Sequence, residues 1–124
     1  MVHLTLKDAQ IAGIAPWDDQ IDDLSNTLVF LDRYPCTQGH RLYVPKDNNA
    51  NWTVRAMEDA LAYGNQMVSE GQWDGFNIGY NSGEAAGQTV MYPHVHLIPR
   101  RKGDVEDPIG GVRNTIPGKG NYKK

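Results

Sequence analysis

The stretch MYPHVHLIPR (residues 91–100) places two of the chain's four histidines one residue apart in an apolar run. Side chains at alternate positions of a β-strand point to the same face. If this stretch is a strand, Tyr92, His94 and His96 share one face and the apolar residues between them face the core. Pro93 lacks a backbone N–H, so we expect the strand to be irregular or at a sheet edge there. The pattern predicts a row of polar rings, which are costly to bury without partners.

Three kinds of role fit two histidines at this spacing. They can be hydrogen-bonded core residues without a chemical function. They can supply two imidazoles to zinc or another divalent ion, with His3, Asp32 or His40 as a third ligand. In the third role a neutral imidazole, with an ordinary pKa of about 6.5, attacks phosphorus. The second imidazole then hydrogen-bonds the phosphate or protonates the leaving group, and N–H groups of the preceding loop, SGEAAGQ, hold phosphate oxygens.

Composition excludes several classes of protein. Twelve basic and fifteen acidic residues in 124 give a net charge of -3, which argues against a broad cationic surface for nucleic acid. A single cysteine, Cys36, excludes an internal disulfide and a zinc site of the CxxC type. No leader-like start and no apolar run of about 18 residues is visible, so we expect a cytoplasmic protein without a membrane partner. The length suits one domain over residues 1–124.

The elements that must position the histidines are predicted from apolar runs and turn formers. Residues 27–33 and 40–46 are predicted as the two strands of an antiparallel hairpin around Gln38-Gly39. The segment 1–24 is predicted as irregular, with a short helix in LKDAQIAGI and a solvated acidic loop at WDDQIDD.

The strongest helical pattern follows the polar stretch KDNNANW. Asn51 or Thr53 is expected to cap the helix and Gly71 to end it. A buried face at helical spacing is predicted for Val54, Met57, Ala60, Leu61, Gly64, Met67 and Val68.

The rest of the chain adds two more strands. Residues 76–81 and 88–100 are predicted as strands, and residues 101–124, rich in proline and glycine, as an extended tail. Strands outnumber helices and are joined by short turns, which indicates an α+β fold with an antiparallel sheet.

Three ordered segments resemble the histidine triad (HIT) superfamily. GQTVMYPHVHLIPR (87–100) resembles its signature of Gln-Ser/Thr-Val, alternating histidines and Pro-Arg. FLDRYPCTQGHRLYVPK (30–46) is similar to its first hairpin. GDVEDPIGGVRNTIP (103–117) is similar to a bacterial branch near the dinucleoside polyphosphate hydrolases. The resemblance implies a five-stranded antiparallel sheet with one long and one short helix, and a homodimer.

The resemblance also implies roles for individual residues. His94 falls on the nucleophile, and His96 on the last triad histidine, near the reacting phosphate. Tyr92 stands where the family has its first triad histidine, and it cannot carry a proton at neutral pH as imidazole can. We therefore expect an active or weakened enzyme. The other matched positions are Asp32 for the ribose hydroxyls, Asn81, Gln88 and Thr89 for the phosphate, and His40 as a support of the triad.

The expected function is a nucleotide hydrolase or transferase that cleaves at the α-phosphorus through a nucleotidyl-histidine. A dinucleoside polyphosphate is the first expected substrate, before nucleoside phosphoramidates and adenylylated molecules. No metal or other cofactor is expected on the protein, although a polyphosphate would carry Mg²⁺. A non-catalytic nucleotide sensor and a metal-dependent hydrolase are the alternatives. Asp32, Asn81 and Thr89 also suit ordinary turn or strand positions, and Trp17, Trp52 and Trp73 suit burial better than base stacking.

Overall fold

The computed structural model describes residues 4–124, which form a five-stranded antiparallel sheet with one long and one short helix. The α+β class is confirmed. Along the sheet the strands follow the order β1-β2-β3-β5-β4. The strands are β1 (Gln20–Asp23), β2 (Thr27–Leu31), β3 (Arg41–Pro45), β4 (Gly75–Tyr80) and β5 (Val95–Arg100), and the helices are α1 (Leu6–Ile11) and α2 (Ala50–Ser69).

The β2–β3 hairpin forms where the sequence predicts it. Thr27 pairs with Pro45 at one end and Leu31 with Arg41 at the other. Beyond the last pair the backbone N–H of Asp32 donates to the carbonyl of His40 at 3.0 Å. The hairpin therefore brings together two predicted site residues that are not neighbours in the chain.

Strand β1 corrects the prediction of an acidic loop. Residues Gln20–Asp23 pair with β2, with a bulge between Gln20 and Asp22. The whole strand is exposed. Because an exposed edge strand buries neither face, no apolar alternation marks it in the sequence. The short helix predicted in LKDAQIAGI is confirmed as α1, so the correction concerns only the acidic loop.

Helix α2 has its predicted position, and Ala60 and Gly64 are buried as predicted, but the rest of the buried face differs. Thr53, Ala56, Ala60 and Gly64 are buried, whereas Val54, Leu61 and Val68 are 50%, 49% and 37% exposed. Small residues face the sheet because the helix lies close to it: a Cβ at Gly64 would stand 2.8 Å from the Phe76 ring.

The ends of α2 also differ in part from the prediction. The cap is Asn49, whose side chain accepts from the backbone N–H of Trp52 at 2.9 Å, rather than Asn51 or Thr53. Gly71 follows the helix with a φ of +74°, as expected of a glycine that ends a helix.

Strand β5 is shorter than predicted. It begins at Val95, and residues 88–94 form a loop in front of it. Within β5 the predicted alternation holds, since Val95, Leu97 and Pro99 are buried and the residues between them are half-buried. The expectation of an irregular backbone at Pro93 is confirmed, and the single strand face shared by residues 92, 94 and 96 is wrong.

The C-terminal tail is not extended throughout. It makes turns after Arg101 and a short 3₁₀ helix at Gly111–Thr115. Gly111 approaches β4 so closely that a Cβ at this position would lie 3.7 Å from the Asn77 amide. None of the helices in residues 4–124 is both long and apolar enough to cross a membrane.

Candidate active site

Six of the predicted residues line one cavity of about 300 Å³. The cavity lies between the loop in front of β5, the start of the β2–β3 connection and the segment that precedes β1. The rings of His94 and His96 are adjacent in it, with centroids 5.3 Å apart. The predicted residues that line it are Asp32, Asn81, Gln88, Thr89, His94 and His96.

His94 is held by a main-chain carbonyl. Its Nδ1 lies 2.8 Å from the carbonyl oxygen of Tyr92. A carbonyl only accepts hydrogen bonds, so the proton of the neutral ring is on Nδ1 and the lone pair is on Nε2. Burial lowers the pKa of His94, against smaller opposing effects of this hydrogen bond and of Asp32. At neutral pH the ring therefore offers an uncharged nucleophilic nitrogen.

His96 has the opposite tautomer, which a chain of hydrogen bonds determines. The backbone N–H of Cys36 donates to His40 Nδ1 at 3.2 Å. The proton of neutral His40 is therefore on Nε2, which lies 2.9 Å from His96 Nδ1. His96 accepts there and carries its own proton on Nε2.

Three effects keep His96 uncharged. Burial is the largest, followed by the neighbouring His94 and His40, and together they lower the pKa of His96 to about 4 against the attraction of Asp32. Burial also lowers the pKa of His40. Two neutral imidazoles with complementary functions thus line the cavity, His94 with a free lone pair and His96 with an N–H donor.

One oxygen of Asp32 has a local role in a turn, and the other lies near His40 at the cavity. Its Oδ1 accepts from the backbone N–H of Tyr34 at 2.8 Å, which is the turn role that aspartate favours. Its Oδ2 lies 3.5 Å from His40 Nε2. The carboxylate lines the cavity, so Oδ2 can accept a hydrogen bond from a bound hydroxyl.

The loop in front of β5 is shaped by Gln88. Its Oε1 accepts from the Gly83 N–H at 2.8 Å, and its Nε2 donates to the carbonyls of Val90 and Met91 at 3.1 and 3.2 Å. The side-chain amide is therefore engaged within the loop rather than directed at a ligand. Thr89 lies in this loop and lines the cavity, because the residue is not on a strand that would turn it away.

Tyr92 does not line this cavity. Its side chain is buried in a core cluster with Leu6, Phe30 and Leu42, and its hydroxyl donates to the Pro45 carbonyl at 2.7 Å. Burial raises its pKa. The structure therefore does not support a catalytic placement of the Tyr92 side chain. The two-residue alternation of β5 does not extend back into the loop that contains both Tyr92 and His94. Its carbonyl, however, orients His94.

A metal would compete with the hydrogen bonds of the histidines. Ligand atoms of Asp32, His40 and His96 lie within 4.8 Å of one another. His40 Nε2 is protonated, since Cys36 donates to the other ring nitrogen, and a metal needs that lone pair. The donor set thus fits a metal only if His40 changes tautomer and gives up its bond to Cys36. His3, another predicted ligand, lies outside the described residues.

Residues that the sequence did not assign to the site also line the cavity, among them Trp17 and Arg33. Trp17 lies against the His94 ring, with centroids 4.8 Å apart, and is only partly buried. Arg33 lines the same cavity and binds Asp18 at 3.0 Å. A basic residue directly after Asp32 was the available signal, but nothing in the sequence connects it with Asp18.

A second cavity of about 360 Å³ adjoins the first. His96 and Asn81 line both. Its other walls are mostly apolar and come from β4, β5 and the C-terminal tail, through residues such as Ile78, Ile98 and Val112. The tail therefore forms part of the surroundings of His96.

Comparison with known families identifies this arrangement. The sequence model of the HIT domain matches residues 18–103, which include both cavity histidines and His40. The chain belongs to the HIT family. An uncharacterized HIT-like protein of Mycobacterium tuberculosis is 36% identical over 103 residues, covering 77% of this chain and 71% of that protein. A crystal structure from Streptococcus mutans superposes with a TM-score of 0.65 at 29% identity, covering 86% and 72% of the two chains.

Two relatives of the HIT chain carry names that state an activity. An adenylylsulfatase of Arabidopsis thaliana is 34% identical over 84 residues, covering 62% of this chain and 43% of that protein. An adenosine 5'-monophosphoramidase of Saccharomyces cerevisiae is 33% identical over 75 residues, covering 58% and 48%. The HIT family therefore includes nucleotide hydrolases, as the sequence resemblance implied.

Proposed function

We propose that this HIT protein is a nucleotide hydrolase or transferase that cleaves at the α-phosphorus of a nucleoside phosphate. The observation that carries the proposal is the pair of opposite tautomers in one cavity. His94 Nε2 attacks phosphorus with its lone pair, and the bond from phosphorus to the leaving group breaks and leaves its electrons on that group. Water then attacks the nucleotidyl-histidine, which releases the nucleoside monophosphate and restores His94.

His96 acts in this proposal as a hydrogen-bond donor rather than as an acid. With a pKa of about 4 it is neutral at pH 7, and its Nε2–H can stabilise charge that develops on a non-bridging oxygen. Asp32 Oδ2 binds the ribose hydroxyls, and Asn81 and Thr89 border the phosphate. Gln88 maintains the loop.

The neutral state of His96 favours leaving groups that depart as stable anions. A second phosphate is such a group, which supports the dinucleoside polyphosphate predicted from the C-terminal resemblance. Mg²⁺ carried by the substrate would offset its charge, since Arg33, a cation that lines the cavity, is already paired with Asp18 at 3.0 Å.

The apolar cavity beside His96 favours a second candidate. Among the described residues no lysine, arginine or carboxylate lines it, so an uncharged organic leaving group would fit better there than a polyphosphate. Nucleoside phosphoramidates have leaving groups of this kind, and because His96 is neutral, the amine nitrogen takes a proton from solvent as the P–N bond breaks.

A substrate panel tests both candidates and the common mechanism. Diadenosine polyphosphates, adenosine phosphoramidates with apolar amines and adenylyl sulfate would be compared by kcat/KM, and labelled nucleotide would be trapped on the protein by acid quench. We expect turnover with a trapped adduct. Tight nucleotide binding without adduct or turnover would instead support the sensor, and loss of activity with chelator on substrates that need no Mg²⁺ would support a metal-dependent hydrolase.

We further propose that the protein forms a homodimer. The support is a row of apolar residues on the outer face of α2, regularly spaced along the helix and exposed to solvent: Val54, Leu61 and Val68. Light scattering of the wild type should give twice the chain mass, and Leu61→Glu should give the monomer. The neighbouring exposed substitution Ala62→Glu is the matched control, and a monomeric wild type would contradict the proposal.

A further inference from the structure

Trp17 packs against the nucleophile of the proposed reaction. Its indole centroid lies 4.8 Å from that of His94, with the ring planes inclined by 54°. The same indole also contacts Phe30, at 6.2 Å and 39°, and the core cluster that contains Tyr92. The side chain therefore lies between the core and the cavity, and it lies just before the part of the chain that the HIT model matches.

Arg33 contacts the residues on both sides of Trp17. One of its guanidinium nitrogens, Nη2, binds the Asp18 carboxylate at 3.0 Å and lies 3.5 Å from the Pro16 carbonyl oxygen. The carbonyl of the next residue, Asp19, accepts from the backbone N–H of Leu31 at 2.9 Å. The indole is thus anchored to the β2–β3 hairpin, which also carries Asp32.

His94 needs such a neighbour because, apart from the adjacent His96 ring, it is restrained by the hydrogen bond from Nδ1. The bond from Nδ1 to the Tyr92 carbonyl selects the tautomer, but one bond leaves the ring free to tilt about it. An attack on phosphorus needs Nε2 aligned with the bond that breaks, and a displacement of about 1 Å can cost about a hundredfold in rate. A packed indole limits that motion.

We propose that Trp17 is a positioning residue for His94: the indole orients the imidazole and excludes water from it, and the Arg33–Asp18 ion pair keeps the indole in place. The inference rests on the proposed function of His94 as nucleophile. A base-stacking role, in contrast, would place a nucleobase against the indole and would leave the imidazole to its hydrogen bond alone.

Water exclusion has a measurable consequence for the free protein. Burial is the largest influence on the lowered pKa of His94. The titratable and charged groups around the ring are His96 of β5, Asp32 after β2 and Arg33, which lines the same cavity, and none of them is changed by a substitution at position 17. Opening the site at Trp17 should therefore raise the pKa of His94 towards its ordinary value. A cation–π attraction to the protonated ring would have the opposite effect, so the direction of the shift separates the two.

The test compares Trp17→Leu, Trp17→Phe and Asp18→Asn with Trp52→Leu, a tryptophan on helix α2 away from the cavity. NMR titration of the His94 ring without nucleotide should show a higher pKa in Trp17→Leu than in the wild type or in Trp52→Leu. On the best substrate, Trp17→Leu should lower kcat about 10- to 100-fold with little change in KM. The acidic limb of its pH–rate profile should shift to higher pH. Trp17→Phe should recover most of kcat, and Asp18→Asn should give a smaller loss.

Three results would overturn the inference. One is an unchanged or lower His94 pKa in Trp17→Leu, another is an unchanged kcat, and the third is a rise in KM alone that differs between purine and pyrimidine nucleotides. Thermal melts check that each variant is folded. If Trp17→Leu is unfolded, the His94 pKa and kcat of Trp17→Phe and Asp18→Asn test the inference instead. If the wild type turns over no nucleotide, the proposed function fails, whereas the NMR titration still shows whether the indole controls His94.

Discussion

The two histidines of the cavity are positioned in different ways. His96 lies in β5, an interior strand of the sheet, where it pairs with Leu42 of β3 on one side and Gly79 of β4 on the other. His94 lies in the loop before that strand and is positioned by the Tyr92 carbonyl and by contact with Trp17.

This difference shows which positions of the site can tolerate a substitution. The strand histidine depends on a side chain, His40, for its tautomer, whereas the loop histidine depends on a main-chain carbonyl that any residue at position 92 would supply. A tyrosine at position 92 is therefore compatible with an intact nucleophile, and the relay through His40 should be the more sensitive of the two to substitution.

The largest effect is expected from His94→Ala. Without the nucleophilic Nε2 no nucleotidyl intermediate forms, so kcat should fall by about 10⁴-fold or more. Nucleotide binding should remain measurable by calorimetry, because Asp32 and the loop 83–90 are unchanged. Acid-quench trapping should give no adduct in this variant. Turnover at the wild-type rate would remove the covalent mechanism.

An intermediate effect is expected from His40→Ala, which removes the donor to His96 Nδ1. The His96 proton can then move to Nδ1, and the N–H that faces the phosphate is lost; residues that orient a functional ligand in this way are typically worth about 10- to 100-fold. His40→Gln retains an N–H donor and should recover part of kcat. The measurement is steady-state kinetics with NMR of the His96 tautomer, and equal activities of the three proteins would contradict the relay.

The sequence predicted those elements of the fold in which buried apolar residues recur at a regular spacing. The β2–β3 hairpin and the alternation in β5 follow from apolar residues that face the core. Strand β1 is exposed on both faces, and the sheet-facing side of α2 is made of small residues such as Ala56 and Ala60. Hydrophobicity marks neither clearly, so β1 was missed and the buried face of α2 was predicted only in part, at Ala60 and Gly64.

The sequence predicted which residues belong to the site better than it predicted how they contact one another. His94, His96, Asp32 and Asn81 meet in one cavity, but the relay from Cys36 and the contact with Trp17 depend on tertiary distances that no local spacing encodes. Strand alternation was also extended through His94 back to Tyr92, although both residues lie in the loop before β5. The loop conformation that ends the strand depends on Gln88, whose side chain bonds three backbone groups.

The smallest effect on activity is expected from Tyr92→Phe, which tests the contrast between side chain and main chain at position 92. The change removes the hydroxyl that donates to Pro45 and leaves a buried carbonyl without that partner, so the free energy of unfolding in urea should fall by about 1–2 kcal/mol. The carbonyl that orients His94 is retained, and kcat should stay within about threefold of the wild type, since no group that contacts substrate is altered. The exposed Tyr122→Phe is the control and should change neither quantity. A large loss of kcat in Tyr92→Phe with unchanged stability would mean that the hydroxyl acts in the chemistry, and the main-chain account of His94 would then be wrong.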